Sequence, residues 1–307
     1  MEENIRIPVA SYYLGNTSYF ISAETMEIAS IAKSSLGLEF DEKADKGSSS
    51  FDIHLAANGD VTVKADEVFA GVGVPEPTRP VGFYYNYLEP LIVLAAASKE
   101  YLPLHASSVK WHDKHIIFLG PRGAGKSTMS IACAAAGGVL ISDDATFIKS
   151  SSDSELFITS TPRELHIEEA TLCAWFSNRL TSKFSEYMPG SRKLAVGRSF
   201  LQTSICRFSK PDPRNTHVVL LESAWSQNSS VLEALPNETF GEHLRANLLS
   251  TPTYPAVVQR AVCDLAEISA MKLEKCALWR LYRHRDNIFD GAFPQKLQDT
   301  LSPIISS

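Results

Sequence analysis

The sequence predicts an α/β protein, in which a smaller β-rich α+β amino-terminal domain over residues 1–85 precedes a larger α/β domain over residues 86–307. Three observations lead to this prediction. The first part holds short β-like runs, and the segment VPEPTRPVG at 74–82 has three prolines and is expected as a linker. From Leu102 to Ile148 a strand, a glycine-rich loop, a helix and a second strand follow one another, which is the order of a βαβ unit with parallel strands.

Local patterns assign the elements in chain order. FDIHLA and DVTVKA flank Asn58 and Gly59, which tolerate a positive φ, so these two runs are expected as a hairpin. A buried helix is expected from about Tyr87, in a stretch that is apolar on most faces. After it come an extended run LPLHASSVKW, a strand HIIFLG, a helix KSTMSIACAAAGG and a buried strand VLISDDATFI. The strand THVVLLES, two helices, the strand ALWRLYRHRD and a short tail helix complete the predicted α/β domain.

Composition and charge exclude several classes of function. The 307 residues are 44% hydrophobic, which allows a sizeable core, and the net charge of −6 disfavours a nucleic-acid partner held by charge. No run approaches the ~18 apolar residues that a membrane span needs, and the amino terminus lacks the features of a secretory signal. Five scattered cysteines without a CxxC pair disfavour disulfides and zinc. We therefore expect a cytoplasmic protein without membrane or nucleic-acid partners, whose oligomeric state is open, a homo-oligomer included.

Residues 120–128 read GPRGAGKST and match the phosphate-binding pattern G-x-x-x-x-G-K-[ST]. Glycines in such a loop let backbone N–H groups turn toward phosphate oxygens, and the following helix presents its positive end to them. The pattern predicts that Lys126 reaches the β- and γ-phosphates of ATP and that the Ser127 hydroxyl binds Mg²⁺. An ordinary helix start after a glycine turn, with a solvated lysine, is the alternative. The predicted nucleotide-binding residues are Gly120, Pro121, Arg122, Gly123, Ala124, Gly125, Lys126, Ser127 and Thr128.

Two adjacent aspartates, Asp143 and Asp144, end the apolar run after the loop helix. Carboxylates there are expected at the carboxyl edge of the sheet, beside the loop. One could hold Mg²⁺, and the other could accept the proton of an attacking hydroxyl, as in phosphoryl transfer. Capping of a strand-to-turn junction is the alternative. An acidic residue on the strand directly after the loop helix is more typical of kinases than of GTPases or motor ATPases.

The segments PLHASSV, IIFLGPRGAGKST and GGVLISDDATFI together resemble the HPr kinase/phosphorylase family. That family has a P-loop fold related to phosphoenolpyruvate carboxykinase, and it includes kinases of serine in proteins and in lasso-peptide precursors. The resemblance is clear from Leu102 to Ile148, weaker toward the carboxyl end and not visible in residues 1–85. It implies a P-loop kinase core of the HPr kinase/PEP carboxykinase type that uses ATP and Mg²⁺.

The resemblance also implies roles for single residues. His105 matches a histidine near the γ-phosphate, Asp143 the residue that activates the acceptor serine, and Asp144 the residue near the metal ion. The family's later signature is absent. In its place stands TPRELHIEEA, with Arg163 and His166 as candidates. This departure puts both HPr as the substrate and the reverse phosphorylase reaction in doubt.

Basic residues elsewhere are further candidates. Arg192 and Lys193 lie in YMPGSRKLAV, a predicted loop whose basic side chains could close over phosphates, although an ordinary exposed loop fits equally well. Arg280, Arg283 and Arg285 on the last strand are expected to be solvated.

The sequence thus predicts an ATP-dependent kinase that transfers the γ-phosphate to a serine hydroxyl of a peptide or protein, a lasso-type precursor peptide among the candidates. Asp143 would accept the hydroxyl proton, while Lys126 and a basic loop residue balance the developing charge. A kinase of a small-molecule hydroxyl would use the same chemistry. A nucleotide-responsive regulatory binding protein is the third possibility. Strand-like runs in residues 1–85 favour a role for that part in docking a peptide.

Overall fold

The structure is a computed structural model of the chain. The residues that it describes are 6–14, 17–36, 51–55, 60–65, 68–73, 83–150, 155–161, 164–177, 184–186, 192–201, 208–223, 230–249, 254, 256–273, 275–283 and 290–306. The predicted linker at 74–82 and the turn at 56–59 lie outside these ranges, as do Arg163 and Arg285.

The amino-terminal part forms a five-stranded sheet in the order β1-β2-β3-β4-β5. Its elements are β1 Ile7–Leu14, β2 Thr17–Ala23, α1 Met26–Leu36, β3 Phe51–Leu55, β4 Asp60–Ala65 and β5 Val68–Gly73. Strands β2 and β3 are parallel, with α1 between them in the chain, and the other neighbours are antiparallel. The antiparallel pairing predicted for β3 and β4 is therefore confirmed.

A buried helical segment follows. A π-helix over Tyr84–Leu88 continues directly into α2, Glu89–Ser98, so the predicted buried helix is confirmed and begins a few residues earlier than expected. Leu91, Ile92 and Val93 are all within 1% of complete burial, which agrees with the lack of a polar face in the sequence.

The remaining elements lie between Leu102 and Ile305. The strands are β6 Leu102–Leu104, β7 Ser107–Trp111, β8 Lys114–Leu119, β9 Val139–Ser142, β10 Thr146–Ser150, β11 Leu156–Ser160, β12 Leu165–Glu168, β13 Ser185–Glu186, β14 Lys193–Val196, β15 Phe208–Ser209, β16 Thr216–Ser223, β17 Val231–Ala234 and β18 Ala277–Arg283. The helices are α3 Lys126–Ala135, α4 Glu169–Phe176, α5 Arg198–Leu201, α6 Phe240–Ala246, α7 Ala256–Leu273, α8 Phe293–Thr300 and α9 Ser302–Ile305.

A six-stranded sheet in the order β17-β18-β16-β8-β7-β9 forms the centre of this part. Strands β18, β16 and β8 are parallel, whereas β7 is antiparallel to both β8 and β9. The sequence predicted the strands before and after the loop helix as parallel partners. They run in the same direction, but β7 lies between them, so β9 pairs with β7 and not with β8. The carboxyl ends of β8, β9, β16 and β18 consequently meet at one edge of the sheet.

A second sheet, in the order β15-β11-β10-β6, packs beside the first. Two runs that the sequence predicted as single strands are each divided between the two sheets. LPLHASSVKW forms β6 and β7, and VLISDDATFI forms β9 and β10. The apolar pattern does not show where a run passes from one sheet to the other, because both halves of each run are buried strands.

Hydrophobic clusters cover both faces of the six-stranded sheet. Side chains of α3 and α8 pack on one face, and side chains of α6, α7 and the second sheet pack on the other. A further cluster joins residues of β2, β3 and α1 to α2 and α7. Residues on both sides of the boundary predicted near residue 85 therefore share a core, while the division into two domains stays a prediction.

Candidate functional site

The glycine-rich loop leaves the carboxyl end of β8 and leads directly into α3. Gly123 and Gly125 have φ angles of 82° and 93°, a region that favours glycine, and Gly125 is the residue before the first turn of α3. The Ala124 N–H donates to Pro121 O at 3.1 Å, which closes a tight turn. The chain is thus wrapped around the positive end of α3, a geometry suited to anions.

Lys126 is 6% exposed and its ammonium group folds back onto the loop. Its Nζ donates to Gly120 O at 2.8 Å and to Pro121 O at 3.2 Å. Burial lowers the pKa of Lys126, and the charges of Asp144 and Asp143 act in the opposite direction. The structure therefore brings the loop lysine and the two predicted carboxylates together.

Asn247 is a structural support of the loop that the sequence did not indicate. It lies at the carboxyl end of α6 and is 9% exposed. Its Oδ1 accepts from the Gly120 N–H and its backbone O accepts from the His105 N–H, both at 2.8 Å. Its Nδ2 donates to His243 O at 2.8 Å, which fixes the amide orientation. Asn247 thus contacts the start of the loop through its side chain and the segment that carries His105 through its backbone.

His105 and Asp144 meet where the chain crosses between the two sheets. The segment from β6 to β7 and the segment from β9 to β10 cross side by side, because β6 pairs with β10 and β7 pairs with β9. His105 lies in the first crossing and Asp143–Asp144 in the second. His105 Nε2 is 3.0 Å from Asp144 Oδ1, and both side chains are about one-third exposed, at 33% and 34%. The contact is accessible to a ligand and is held by two strand pairs.

Buried hydroxyl groups connect these two crossings. Ser108 Oγ lies 2.6 Å from Ser142 Oγ, which lies 2.5 Å from Thr146 Oγ1. The Thr146 hydroxyl donates to Ala106 O at 3.0 Å, and the Ser107 hydroxyl donates to Lys126 O at 2.8 Å. All four hydroxyl residues are fully buried. A hydrogen-bonded network of this kind fixes the backbone on either side of the aspartates.

Asp144 has a φ of 72°, the left-handed region that non-glycine residues seldom adopt. Aspartate tolerates this region better than most residues, at a cost of about 1 kcal/mol or more. The neighbouring Ala145 N–H donates to Asp143 O at 2.9 Å, so the backbone turns sharply at the pair. This turn directs the adjacent carboxylates into different surroundings.

A buried acid close to the aspartates was also missed by sequence reasoning. Tyr254 OH donates to Glu89 Oε2 at 2.5 Å, and the two residues are 4% and 3% exposed. Burial, the charge of Glu89 and, to a smaller degree, the charge of Asp144 raise the pKa of Tyr254. The pair extends the polar groups of the site toward α2, at the end of a π-helix, a type of helix frequent at functional sites.

Other predicted residues lie in different surroundings. Arg192 is exposed and precedes β14, which belongs to the separate sheet β12-β14-β13, and its backbone O accepts from the Glu169 N–H at 3.0 Å. His166 lies on β12 of the same sheet, opposite Ala195. Arg283, predicted to be solvated, is instead packed against Gly125 of the loop.

Within the ranges given above, no helix has both the length and the apolar character that crossing a bilayer requires. The same ranges contain no cluster of three or more His, Cys, Asp or Glu side chains that could hold a metal ion by themselves.

No family model and no curated protein matches the chain. Among solved structures, the HPr(Ser) kinase/phosphatase from Coxiella burnetii is matched over 66% of this chain and 94% of that chain, with 10% sequence identity and a TM-score of 0.33. A TM-score this low carries no functional argument. Membership of the HPr kinase family therefore stays a hypothesis, and only the site's own residues can indicate its chemistry.

Proposed function

We propose that this protein is an ATP-dependent phosphotransferase with an alcohol acceptor. The observation that carries the proposal is the position of Lys126, whose ammonium group is held by the glycine loop and lies in the electrostatic field of Asp143 and Asp144. A phosphate-binding loop, a lysine and two carboxylates at one sheet edge are the groups that phosphoryl transfer from Mg·ATP requires.

In this proposal the loop amides and Lys126 bind the phosphate chain. The Lys126 ammonium now donates to Gly120 O and Pro121 O, and a rotation of its flexible side chain would exchange these carbonyls for phosphate oxygens. Because the lysine is buried, its charge would act on the transferred group in a medium of low dielectric constant, where it stabilises developing negative charge most strongly. ATP supplies the phosphoryl group when it is bound.

Ser127 and Asp144 would hold Mg²⁺. Both are oxygen donors, which Mg²⁺ prefers, and this ion is commonly bound through one or two carboxylates together with substrate phosphates. The donor set therefore fits Mg²⁺ without a cage made only of protein ligands. His105 contacts one oxygen of Asp144 and would orient the carboxylate.

Asp143 would accept the proton of the attacking hydroxyl. The two aspartates are adjacent in sequence but differ in their surroundings, because His105 pairs with Asp144. Different surroundings commonly divide the roles of neighbouring carboxylates. We assign the metal to Asp144, whose carboxylate His105 contacts and would orient, and proton transfer to Asp143.

The proposed acceptor is a serine hydroxyl in a peptide or protein segment. The amino-terminal sheet supports this proposal, because its described part ends in β1 on one side and β5 on the other. Sheet edges can add an extended peptide through main-chain hydrogen bonds. A ribosomal precursor peptide of the lasso type is one candidate, and a small-molecule hydroxyl is the other class of acceptor.

The test measures ATP consumption by the full chain with Mg²⁺, with and without acceptors. We expect Lys126→Ala to lower turnover on the order of 10² to 10³, because it removes the charge next to the transferred phosphate. Normal turnover by Lys126→Ala would contradict the proposal. ATP binding without consumption, with every acceptor offered, would instead favour the regulatory binding protein.

The acceptor class is tested with labelled ATP and two substrates, an extended serine-containing peptide and free serine. The full chain is used because the amino-terminal sheet shares a core with α2 and α7, so its deletion would expose that core. Label on the peptide alone supports the proposed acceptor. Label on free serine alone would replace it with a small molecule and leave the phosphotransferase proposal intact.

A further inference from the structure

Arg283 is packed directly against the glycine loop. A Cβ atom placed on Gly125 would lie 2.3 Å from Arg283 Nη1 and 3.1 Å from Cζ, so the guanidinium group occupies the space beside the glycine backbone. Gly125 also has a φ of 93°. The backbone conformation thus favours glycine at this position, and the absence of a side chain leaves room for the arginine.

The sheet explains why this arginine reaches the loop. Strand β18 runs parallel to β16, which runs parallel to β8, so the carboxyl end of β18 at Arg283 lies at the same edge as the loop. Residues alternate between the two faces of a strand, and Leu281 packs in the cluster that contains Met129 of α3. Arg283 shares the face of Leu281. Arg280 lies on the opposite face, where its Nε is 3.0 Å from Glu222 Oε1.

Arg283 lines a small crevice of mixed character, and its guanidinium group lies beside the loop. The other lining residues are the apolar Met129, Leu281, Phe293 and Leu297 and the polar Ser230, Lys296 and Thr300. The side chain is half-buried, so its stem is held by packing and its guanidinium group is presented at the phosphate-binding edge. An ordered stem lowers the entropic cost of forming a charged contact with a ligand.

A cation at this position adds to positive potential that is already present. The amino end of α3 carries a partial positive charge, and Lys126 supplies a full charge within the same loop. An anion bound at the same place would be attracted by both cations and by the helix end. Guanidinium groups bind phosphate oxygens through two parallel hydrogen bonds, which a single lysine cannot do.

We infer that Arg283 is a phosphate-binding residue of the nucleotide site, which contacts the phosphate chain beside Gly125. The inference rests on the proposed function, since it requires that the loop binds a nucleotide. It adds a cation from the last strand, far from the loop in sequence, to the binding residues of the GPRGAGKST segment.

The experiment compares Arg283→Met with Arg280→Met by calorimetric titration with Mg·ATP and by thermal unfolding without nucleotide. Methionine keeps an unbranched apolar stem in the crevice and removes the charge. We expect Arg283→Met to bind ATP roughly ten- to hundredfold more weakly, the range for losing a charged hydrogen bond. Arg280→Met, on the same strand but the opposite face, should bind within about twofold of the parent, because that contact does not reach the loop.

Each outcome decides between the alternatives. ATP affinity within about twofold of the parent in Arg283→Met would overturn the role of Arg283 and leave the proposed function standing. A parent protein that binds no nucleotide would remove the proposed function itself. A second variant, Arg283→Lys, keeps a positive charge on this strand. If Arg283→Met and Arg283→Lys both unfold without nucleotide at a temperature where Arg280→Met is folded, Arg283 is a structural residue and the inference fails.

Discussion

Asn247→Ala tests whether one buried amide supports the candidate site. The Gly120 N–H is buried and donates to Asn247 Oδ1 at 2.8 Å, so the substitution takes away its acceptor. A buried donor left without its acceptor costs about 1–3 kcal/mol, and the lost bond from Nδ2 to His243 O adds about 1 kcal/mol. We therefore expect the free energy of unfolding to fall by about 2–4 kcal/mol.

The expected shift is large enough to measure in urea. At a slope of about 3 kcal/mol per molar, a loss of 3 kcal/mol lowers the unfolding midpoint by about 1 M. The function should fall further than the stability does, because the start of the loop loses the side-chain acceptor that positions Gly120. A displacement of about 1 Å in a reacting group costs on the order of 10² in rate, and we expect a loss of this size in ATP turnover measured where the variant is fully folded.

Asn215→Ala is the matched control. Asn215 Oδ1 accepts a part-buried hydrogen bond from Lys114 Nζ at 3.3 Å. Lys114 begins β8 and Asn215 directly precedes β16, so this contact lies at the amino ends of the strands, away from the loop. The control should lose less than about 1 kcal/mol and keep its turnover. If Asn247→Ala matches Asn215→Ala in both the urea midpoint and the turnover, Asn247 does not support the site and the reasoning is refuted.

Two further predictions concern charge. Asp143→Asn should keep the affinity for ATP nearly unchanged and lose most phosphoryl transfer, because asparagine keeps the shape of the side chain but cannot accept the proton. If Asp144→Asn loses phosphoryl transfer while Asp143→Asn keeps it in full, the roles of the two aspartates are reversed. Burial lowers the pKa of His115 and of His217 to about 4 from the ordinary value of 6.5. The unfolded chain therefore binds more protons between pH 6.5 and 4, and stability should fall as the pH decreases through this window, by about 2 kcal/mol for each histidine between pH 7.5 and pH 5. Urea unfolding at both pH values measures this loss of stability, and His115→Gln should remove about half of it. An unchanged pH dependence in His115→Gln would show that His115 does not contribute to the loss.

The sequence was sufficient for features that local patterns determine. The loop at 120–128, the helix after it and the buried helix before Leu102 follow from glycine positions and apolar runs, and the structure contains each of them. The proximity of Lys126 to the aspartates also followed, because strands on either side of a loop helix end at the same sheet edge.

Long-range pairing decided what local patterns could not show. The insertion of β7 between β8 and β9 depends on which strands pair, and a buried strand has the same apolar pattern in any place within a sheet. Asn247 and Arg283 act on the loop from more than a hundred residues away in sequence. An asparagine at a helix end and an arginine on a strand are ordinary residues there, so only the fold shows what they contact.

The unfavourable features of the described structure are concentrated where the function is proposed. Lys126 is a buried cation, Asp144 has a left-handed backbone, and Arg283 brings a second cation to the positive end of α3. A loop with only a structural role would gain stability from an apolar residue in place of the lysine and from glycine in place of the aspartate. Hydrogen bonds of buried hydroxyl groups and of Asn247 stabilise this arrangement. Such local strain, maintained by well-packed surroundings, is typical of sites that are organised in advance for a charged ligand.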